Sequence, residues 1–261
     1  MKNLRIWGKP PFSAVVLHGG PGAAGAVAPV AEELSTGIGV LEPLQTRDSI
    51  NGQVAELKEI VIAAAQVPAV IVGHSWGAYL GFIFASRYPE PVKKLILIAS
   101  PPFEQIYAES IGPERLNRLS EEERLEALAL IDEVNEPGKR NSAAPMARLA
   151  ELFEHVDEYD PLPGEKTPVT FSQHIYDKIW PEASRLRKSG ELLAMAKKIP
   201  CPVVGIHGDY DPHPAEGVQK PLSRMLKDFS FYLLKNCGHE PWNERQACDE
   251  FYCILKREVK I

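Results

Sequence analysis

Short apolar runs alternate along the chain with amphipathic stretches, and the rhythm breaks once. Residues 14–17 form a compact apolar run ending in a Gly/Pro turn, 39–41 a shorter one, and 69–72 and 95–99 two more between turn residues. Such runs read as strands buried on both faces, as in a parallel sheet. Between them Ile50, Val54, Leu57, Val61 and Ala64 recur at helical spacing, which predicts a helix over 50–65 with one buried stripe. A second helix is predicted over 76–87, closed by Tyr88-Pro89.

At Ser100-Pro-Pro-Phe103 the strands stop. From 104 to 195 the chain is charged and helical, with no convincing strand. Ser120 and Glu123 stand at capping-box spacing ahead of Leu125, Leu128 and Ile131, and Leu149, Leu152, Phe153 and Val156 mark another helix. Glu136-Pro-Gly-Lys-Arg140 and Asp160-Pro-Leu-Pro-Gly164 read as connections. A strand over 201–206, a helix over 215–227, a strand over 229–234 and a last helix from about 242 then resume the first pattern. The expectation is an α/β fold with a mostly parallel sheet. Its core is 1–103 with 196–261, and a helical lid, 104–195, is inserted ahead of a late strand. No internal repeat or low-complexity tract interrupts it.

Composition narrows the function classes. In 261 residues, 44% are hydrophobic and 25% charged, as in a folded globular protein, and the net charge is −6, which gives no general pull toward nucleic acid. Residues 60–86 carry no charge, but Gln66, Pro68, Gly73, His74, Ser75 and Gly77 would break any lipid-exposed helix, so no membrane span is expected. The N-terminal Lys2, Arg5 and Lys9 imitate a signal peptide, yet the apolar run that follows is shorter than its hydrophobic region requires. The four cysteines, Cys201, Cys237, Cys248 and Cys253, form no C-x-x-C pair, and three crowd the end of the chain. They read as reduced thiols in a cytoplasmic protein. The expected partner is a small-molecule substrate, not nucleic acid or membrane; oligomeric state is not legible in the sequence.

Candidate chemistry collects at the ends of the predicted strands. Gly73-His-Ser75-Trp-Gly77 is a G-x-S-x-G pattern between a strand and a helix, where the turn exposes a serine and the helix N-terminus faces developing negative charge. The bland alternative is a glycine-rich turn. His18-Gly-Gly-Pro-Gly22 follows the first core strand. It reads either as an ordinary turn or as an oxyanion loop, in which the Gly20 N–H would join that of Trp76. A serine needs a base, and the base an orienting acid. After the lid come His207-Gly-Asp-Tyr-Asp211-Pro and Asn236-Cys-Gly-His239-Glu-Pro-Trp242, both at strand ends. Nucleophile, acid and histidine follow in that order.

These segments resemble the α/β-hydrolase fold over residues 14–100 and 200–257. His-Gly-Gly-Pro-Gly with Gly-His-Ser-Trp-Gly is similar to its proline iminopeptidase branch. The resemblance implies Ser75 as nucleophile, Asp211 as acid and His239 as base; it places the acid three residues after Gly208, which selects Asp211 over Asp209. Iminopeptidases typically carry Asp-Gln-Arg-Gly after the second core strand, where this chain has Glu42-Pro-Leu-Gln45-Thr-Arg47-Asp48. Their lid typically carries Trp-x-x-Trp-Glu, whose acid helps hold the substrate amine; here Trp180 stands alone as a candidate pocket residue. The N-terminal strands common in the fold are expected to be curtailed.

Other histidines are given structural roles. His213 is too close in sequence to Asp211 to be an easy partner, His207 is read as a packed strand-end residue, and His74 lies beneath the elbow. His18 holds its own loop, and His155 and His174 are solvated lid residues. No metal is expected, because no H-E-x-x-H or H-x-H occurs. No G-x-G-x-x-G fingerprint is read behind a strand, so no cofactor is expected. The chain is thus expected to be a serine hydrolase acting on an ester or amide through an acyl-enzyme. The alternatives are an iminopeptidase-like aminopeptidase and a non-catalytic ligand-binding protein of the same fold.

Overall fold

The computed structural model describes residues 3–135, 143–164 and 168–260. In chain order the first half runs β1 (Leu4–Trp7), β2 (Phe12–Leu17), β3 (Ala23–Ala24), α1 (Ala28–Ser35), β4 (Gly39–Pro43), α2 (Ile50–Ala64), β5 (Ala69–His74), α3 (Trp76–Arg87) and β6 (Val92–Ile98). A mostly helical stretch follows: α4 (Gln105–Ala108), α5 (Ile111–Arg118), α6 (Glu121–Asn135), α7 (Ala143–Asp157), the short β7 (Thr170–Phe171), α8 (Gln173–Lys188) and α9 (Glu191–Ala194). The chain closes with β8 (Val203–Gly208), α10 (Glu216–Met225), β9 (Phe229–Leu234) and α11 (Cys248–Val259).

Seven strands form one sheet in the order β1-β4-β2-β5-β6-β8-β9, parallel throughout except for β1 at the edge. Because successive strand residues point to opposite faces, β2 and β5 feed two cores. Val15, Leu17 and Ile71 join α2, α3 and α8 on one face; Ala14, Val16, Val70 and Val72 join α1 and α11 on the other. Both faces are covered, which is why these strands are continuous apolar runs. The apolar helix α3 is buried almost all round, between the sheet, α2 and the 195–198 turn. That explains the uncharged stretch over 60–86 without a membrane. Among the described residues no helix is long and apolar enough to cross one.

Several expectations shift. The edge strand β1 is present, pairing Leu4–Trp7 with Pro43–Val40; it is short and its burial is partial, so no apolar run announced it. The stretch 104–195 is not free of strands, since Ala23 and Ala24 pair with Phe171 and Thr170. The last helix begins at Cys248, not 242, because Pro241–Asn243 forms a 3-10 turn first. The capping box holds as read: the Ser120 N–H donates to Glu123 Oε2 at 3.0 Å and the Glu123 N–H to Ser120 Oγ at 3.3 Å. The connection at Glu136-Pro-Gly-Lys-Arg140 lies outside the described residues.

Candidate active site

Ser75 sits where β5 hands over to α3, with φ 51° and ψ −117°, a backbone conformation that side-chain-bearing residues rarely adopt. Its N–H donates to Ile98 O at 2.9 Å, anchoring the turn to the end of β6. Only glycine fits at position 77, since a Cβ there would lie 2.3 Å from Leu17 O. That close approach brings the first turn of α3 against the end of β2.

The loop after β2 closes on the same point. A Cβ at Gly19 would stand 3.0 Å from Ser75 Cβ and 2.7 Å from His74 Nδ1, so the bare backbone of this loop lies flush against the serine. Gly20 follows at φ +47°. Trp76 itself is buried; its indole N–H donates to Gln53 Oε1 at 3.0 Å, fixing the residue whose backbone N–H opens α3. Ser172 N–H donates to Gly22 O at 2.9 Å beside the β3–β7 pair, so the helical segment grips this loop directly.

Asp211 and His239 come from the loops after β8 and β9. His239 Nδ1 lies 2.8 Å from Asp211 Oδ2. His239 is held next to the elbow: its carbonyl accepts from His74 Nε2 at 3.0 Å, and the two rings lie 4.8 Å apart. Burial alone would lower the His239 pKa, but the charge of Asp211 and the hydrogen bond to it outweigh that and hold it above its ordinary value. Burial alone would raise that of Asp211; the imidazoles of His239, His213 and His207 reverse this and hold it well below the usual carboxylate range. His74 is kept neutral by burial and by the neighbouring His239. Asp209, the other candidate acid, turns away, with one oxygen 3.4 Å from the Cys237 N–H and the other 3.3 Å from Lys235 Nζ.

His213 corrects the sequence reading. It is a direct partner of Asp211: its backbone N–H and its Nδ1 both lie 2.8 Å from Asp211 Oδ1, and its ring stacks on His239 at 4.6 Å. A two-residue separation is what an Asp-led turn uses to fold the chain back on its own carboxylate. His207 is buried as expected, but its Nε2 also comes within 3.3 Å of Asp211 Oδ2 while contacting His213 O at 2.8 Å. His18 keeps to its loop, with Nδ1 at 2.9 Å from Gly19 O.

Sequence reasoning missed the residues that tie the helical segment to the histidine loop. The His239 N–H donates to Asp157 O at 2.9 Å, and Arg115 grips the Asp157 carboxylate with Nε at 2.8 Å and Nη2 at 2.5 Å. The fully buried Glu244 accepts three backbone N–H groups at 2.8 Å, from Gly238, Tyr159 and Asp160. Nothing in the sequence marked it beyond its position five residues after His239. Glu244→Gln turns an acceptor into a donor facing those N–H groups, so a destabilisation of about 1–3 kcal/mol is expected. It is read as a melting temperature lowered by several degrees; an unchanged Tm would contradict the role.

Trp180, the candidate pocket residue, is half-buried in α8, packed against the core and stacked on Tyr176 at 6.3 Å. Among the described residues, Asp211, His213 and His239 also bring ligand-type atoms within 4.8 Å. Both ring Nδ1 atoms are committed to the carboxylate, and no metal is assigned there. The absence read for a dinucleotide fingerprint needs correcting. Gly20, Gly22 and Gly25 do stand at G-x-G-x-x-G spacing behind β2. The turn runs into β3 instead of a helix N-terminus, and α1 begins only at Ala28, so it lacks the form of a phosphate cradle.

A serine raised at a strand-to-helix turn, with a carboxylate–imidazole pair on later strand ends, belongs to hydrolases built on a parallel sheet. A family profile described as "Alpha/beta hydrolase family" matches residues 14–252, and the chain belongs to that family. It is 26% identical over 249 residues to a pimeloyl-[acyl-carrier protein] methyl ester esterase of Chromobacterium violaceum, covering 87% of each chain. It is 25% identical over 199 residues to the monoacylglycerol lipase ABHD6 of Bos taurus, covering 76% of this chain and 57% of that one. The proline iminopeptidase of Mycobacterium smegmatis shares the fold, with TM-score 0.66 and 18% identity over 98% of this chain and 93% of that one. A Paleococcus ferrophilus monoacylglycerol lipase shares it with TM-score 0.59 and 19% identity over 98% and 97%. The chain is a hydrolase.

Proposed function

We propose that the protein is a cofactor-independent serine hydrolase that cleaves an ester of a small acyl group through an acyl-enzyme. The observation that carries this is the 2.8 Å contact between His239 Nδ1 and Asp211 Oδ2, held against the residue that precedes Ser75. Ser75 Oγ attacks the ester carbonyl while His239 Nε2 takes its proton, and Asp211 stabilises the imidazolium. The N–H groups of Gly20 and Trp76 receive the oxyanion. His239 then protonates the leaving alkoxide, and a water repeats the sequence to free the acid. Residues 104–195 serve as the lid, with Trp180 lining the acyl pocket. The four free thiols support a reducing, cytoplasmic setting.

Charge in the lid favours an ester over an aminoacyl amide. An aminopeptidase must pair a substrate ammonium with a carboxylate. Glu182 Oε2 instead accepts the Ile50 N–H at 3.1 Å at the start of α2, and the Glu151 carboxylate pairs with Arg148 at 3.2 Å on the surface. Asp157, beside His239, is already neutralised by both arms of Arg115. The expected result with matched leaving groups near neutral pH is therefore higher kcat/KM on acetyl and butyryl esters than on prolyl amides. Prolyl amide turnover above every short ester would overturn the ester reading in favour of an aminopeptidase.

A further inference from the structure

Asp211 meets two imidazoles at 2.8 Å, with His207 Nε2 at 3.3 Å as a third, where a three-residue relay needs one. Oδ2 faces His239 Nδ1 at 2.8 Å, and Oδ1 faces both the backbone N–H and Nδ1 of His213 at 2.8 Å each. Asp211 ionises readily, and two bare acceptors at that distance would repel. His213 Nδ1 therefore carries the proton and donates it to the carboxylate. The backbone of His213 is held from behind as well: its carbonyl accepts from His207 Nε2 at 2.8 Å. Burial pushes the His213 pKa down to about 4 despite the pull of Asp211, so the ring is neutral at physiological pH. It adds a hydrogen bond without adding a charge beside His239.

We propose that His213 is a positioning residue of the triad: its Nδ1–H clamps Asp211 Oδ1, and its ring, stacked on His239, fixes the plane in which Oδ2 meets that imidazole. The proposal rests on the assignment of Ser75, Asp211 and His239. The His213 backbone N–H holds Oδ1 whatever the side chain; the Nδ1–H gives that oxygen a second donor, from the ring stacked on His239, which further restricts rotation about the Cβ–Cγ bond and presents Oδ2 to His239 in one geometry, as preorganised catalysis requires. The clamp also tunes basicity. A donor on Oδ1 draws charge from the carboxylate and weakens its hold on a protonated His239. The other groups facing this pair are His74 from β5, His207 from β8, Arg115 from α5 and Asp157 from α7. None of these is changed by substituting His213.

The test compares His213→Leu with His213→Asn on one short ester. The two side chains have nearly the same size, but only asparagine offers an N–H close to where Nδ1 stands. Expected for leucine are a kcat lower on the order of tenfold or more, a KM within about twofold, and an acid limb of kcat/KM moved to higher pH. Asparagine restores most of kcat and returns the limb toward wild type. Equal losses in the two variants, or wild-type kcat and limb with leucine, would overturn the clamp and leave only packing. Thermal unfolding checks that both fold. If leucine does not, His213→Ala with added imidazole replaces it. Rescue by imidazole but not by 1-methylimidazole, which has no N–H, supports the clamp; rescue by neither or by both overturns it. Asp211→Asn is run alongside. If it keeps near-wild-type kcat, the triad falls and the clamp with it; if it loses activity while His213→Leu does not, the clamp alone falls.

Discussion

Ser75→Ala is expected to abolish turnover and fluorophosphonate labelling together, with kcat reduced on the order of 10⁴–10⁶-fold and the residual rate left to the oxyanion donors and binding. The argument starts in the backbone. β5 is buried along its length, and Ser75, the first residue after it, is part-exposed at a φ of 51°. Alanine takes that conformation no worse than serine. The Ser75 N–H bond to Ile98 O belongs to the backbone and survives the change. The melting temperature should therefore stay within about 1 °C, which separates a chemical loss from a folding one. A variant that keeps near-wild-type rates, or labelling that persists at another residue, would remove Ser75 from the nucleophile's role.

What the sequence made legible follows from how local each signal was. α3 spans the predicted 76–87 and β9 the predicted 229–234, because Tyr88-Pro89 stops one and turn residues flank the other. Strands buried on both faces announce themselves as apolar runs; β1, half exposed and paired on one side, does not. In the site, the placement of Ser75, Asp211 and His239 after strand ends was legible because each lies in a short motif. Residues whose importance lies in a contact from far along the chain were not. Glu244 meets Tyr159 and Asp160 across 85 and 84 positions, and Arg115 reaches Asp157 across 42. His213 failed for the opposite reason. Closeness in sequence argues against a partner across the site, whereas a tight turn makes a neighbour two residues on an easy partner for a carboxylate.

Asp211→Asn is expected to lower kcat/KM on the order of 10⁴-fold, while Asp209→Asn loses less than about tenfold. The difference lies in what each carboxylate holds. Asp211 is buried and gives Oδ2 to His239 Nδ1 at 2.8 Å; an amide there supplies either no charge for the imidazolium or an N–H that forces the ring into the wrong tautomer. Asp209 is part-exposed and holds only the Cys237 N–H at 3.4 Å and the Lys235 ammonium at 3.3 Å, contacts outside the path of the proton. The pH profile separates the roles further. Burial disfavours protonated His239, and its pKa lies above the ordinary value chiefly because Asp211 overcomes that burial. The base acts when neutral, so wild-type kcat/KM falls as pH drops through that raised pKa. Without the carboxylate charge the burial effect prevails, and the limb of the residual activity moves to lower pH, opposite to the shift expected for His213→Leu. Equal losses in the two aspartate variants, or a larger loss at Asp209, would show that the acid had been assigned to the wrong end of the Asp-Tyr-Asp turn.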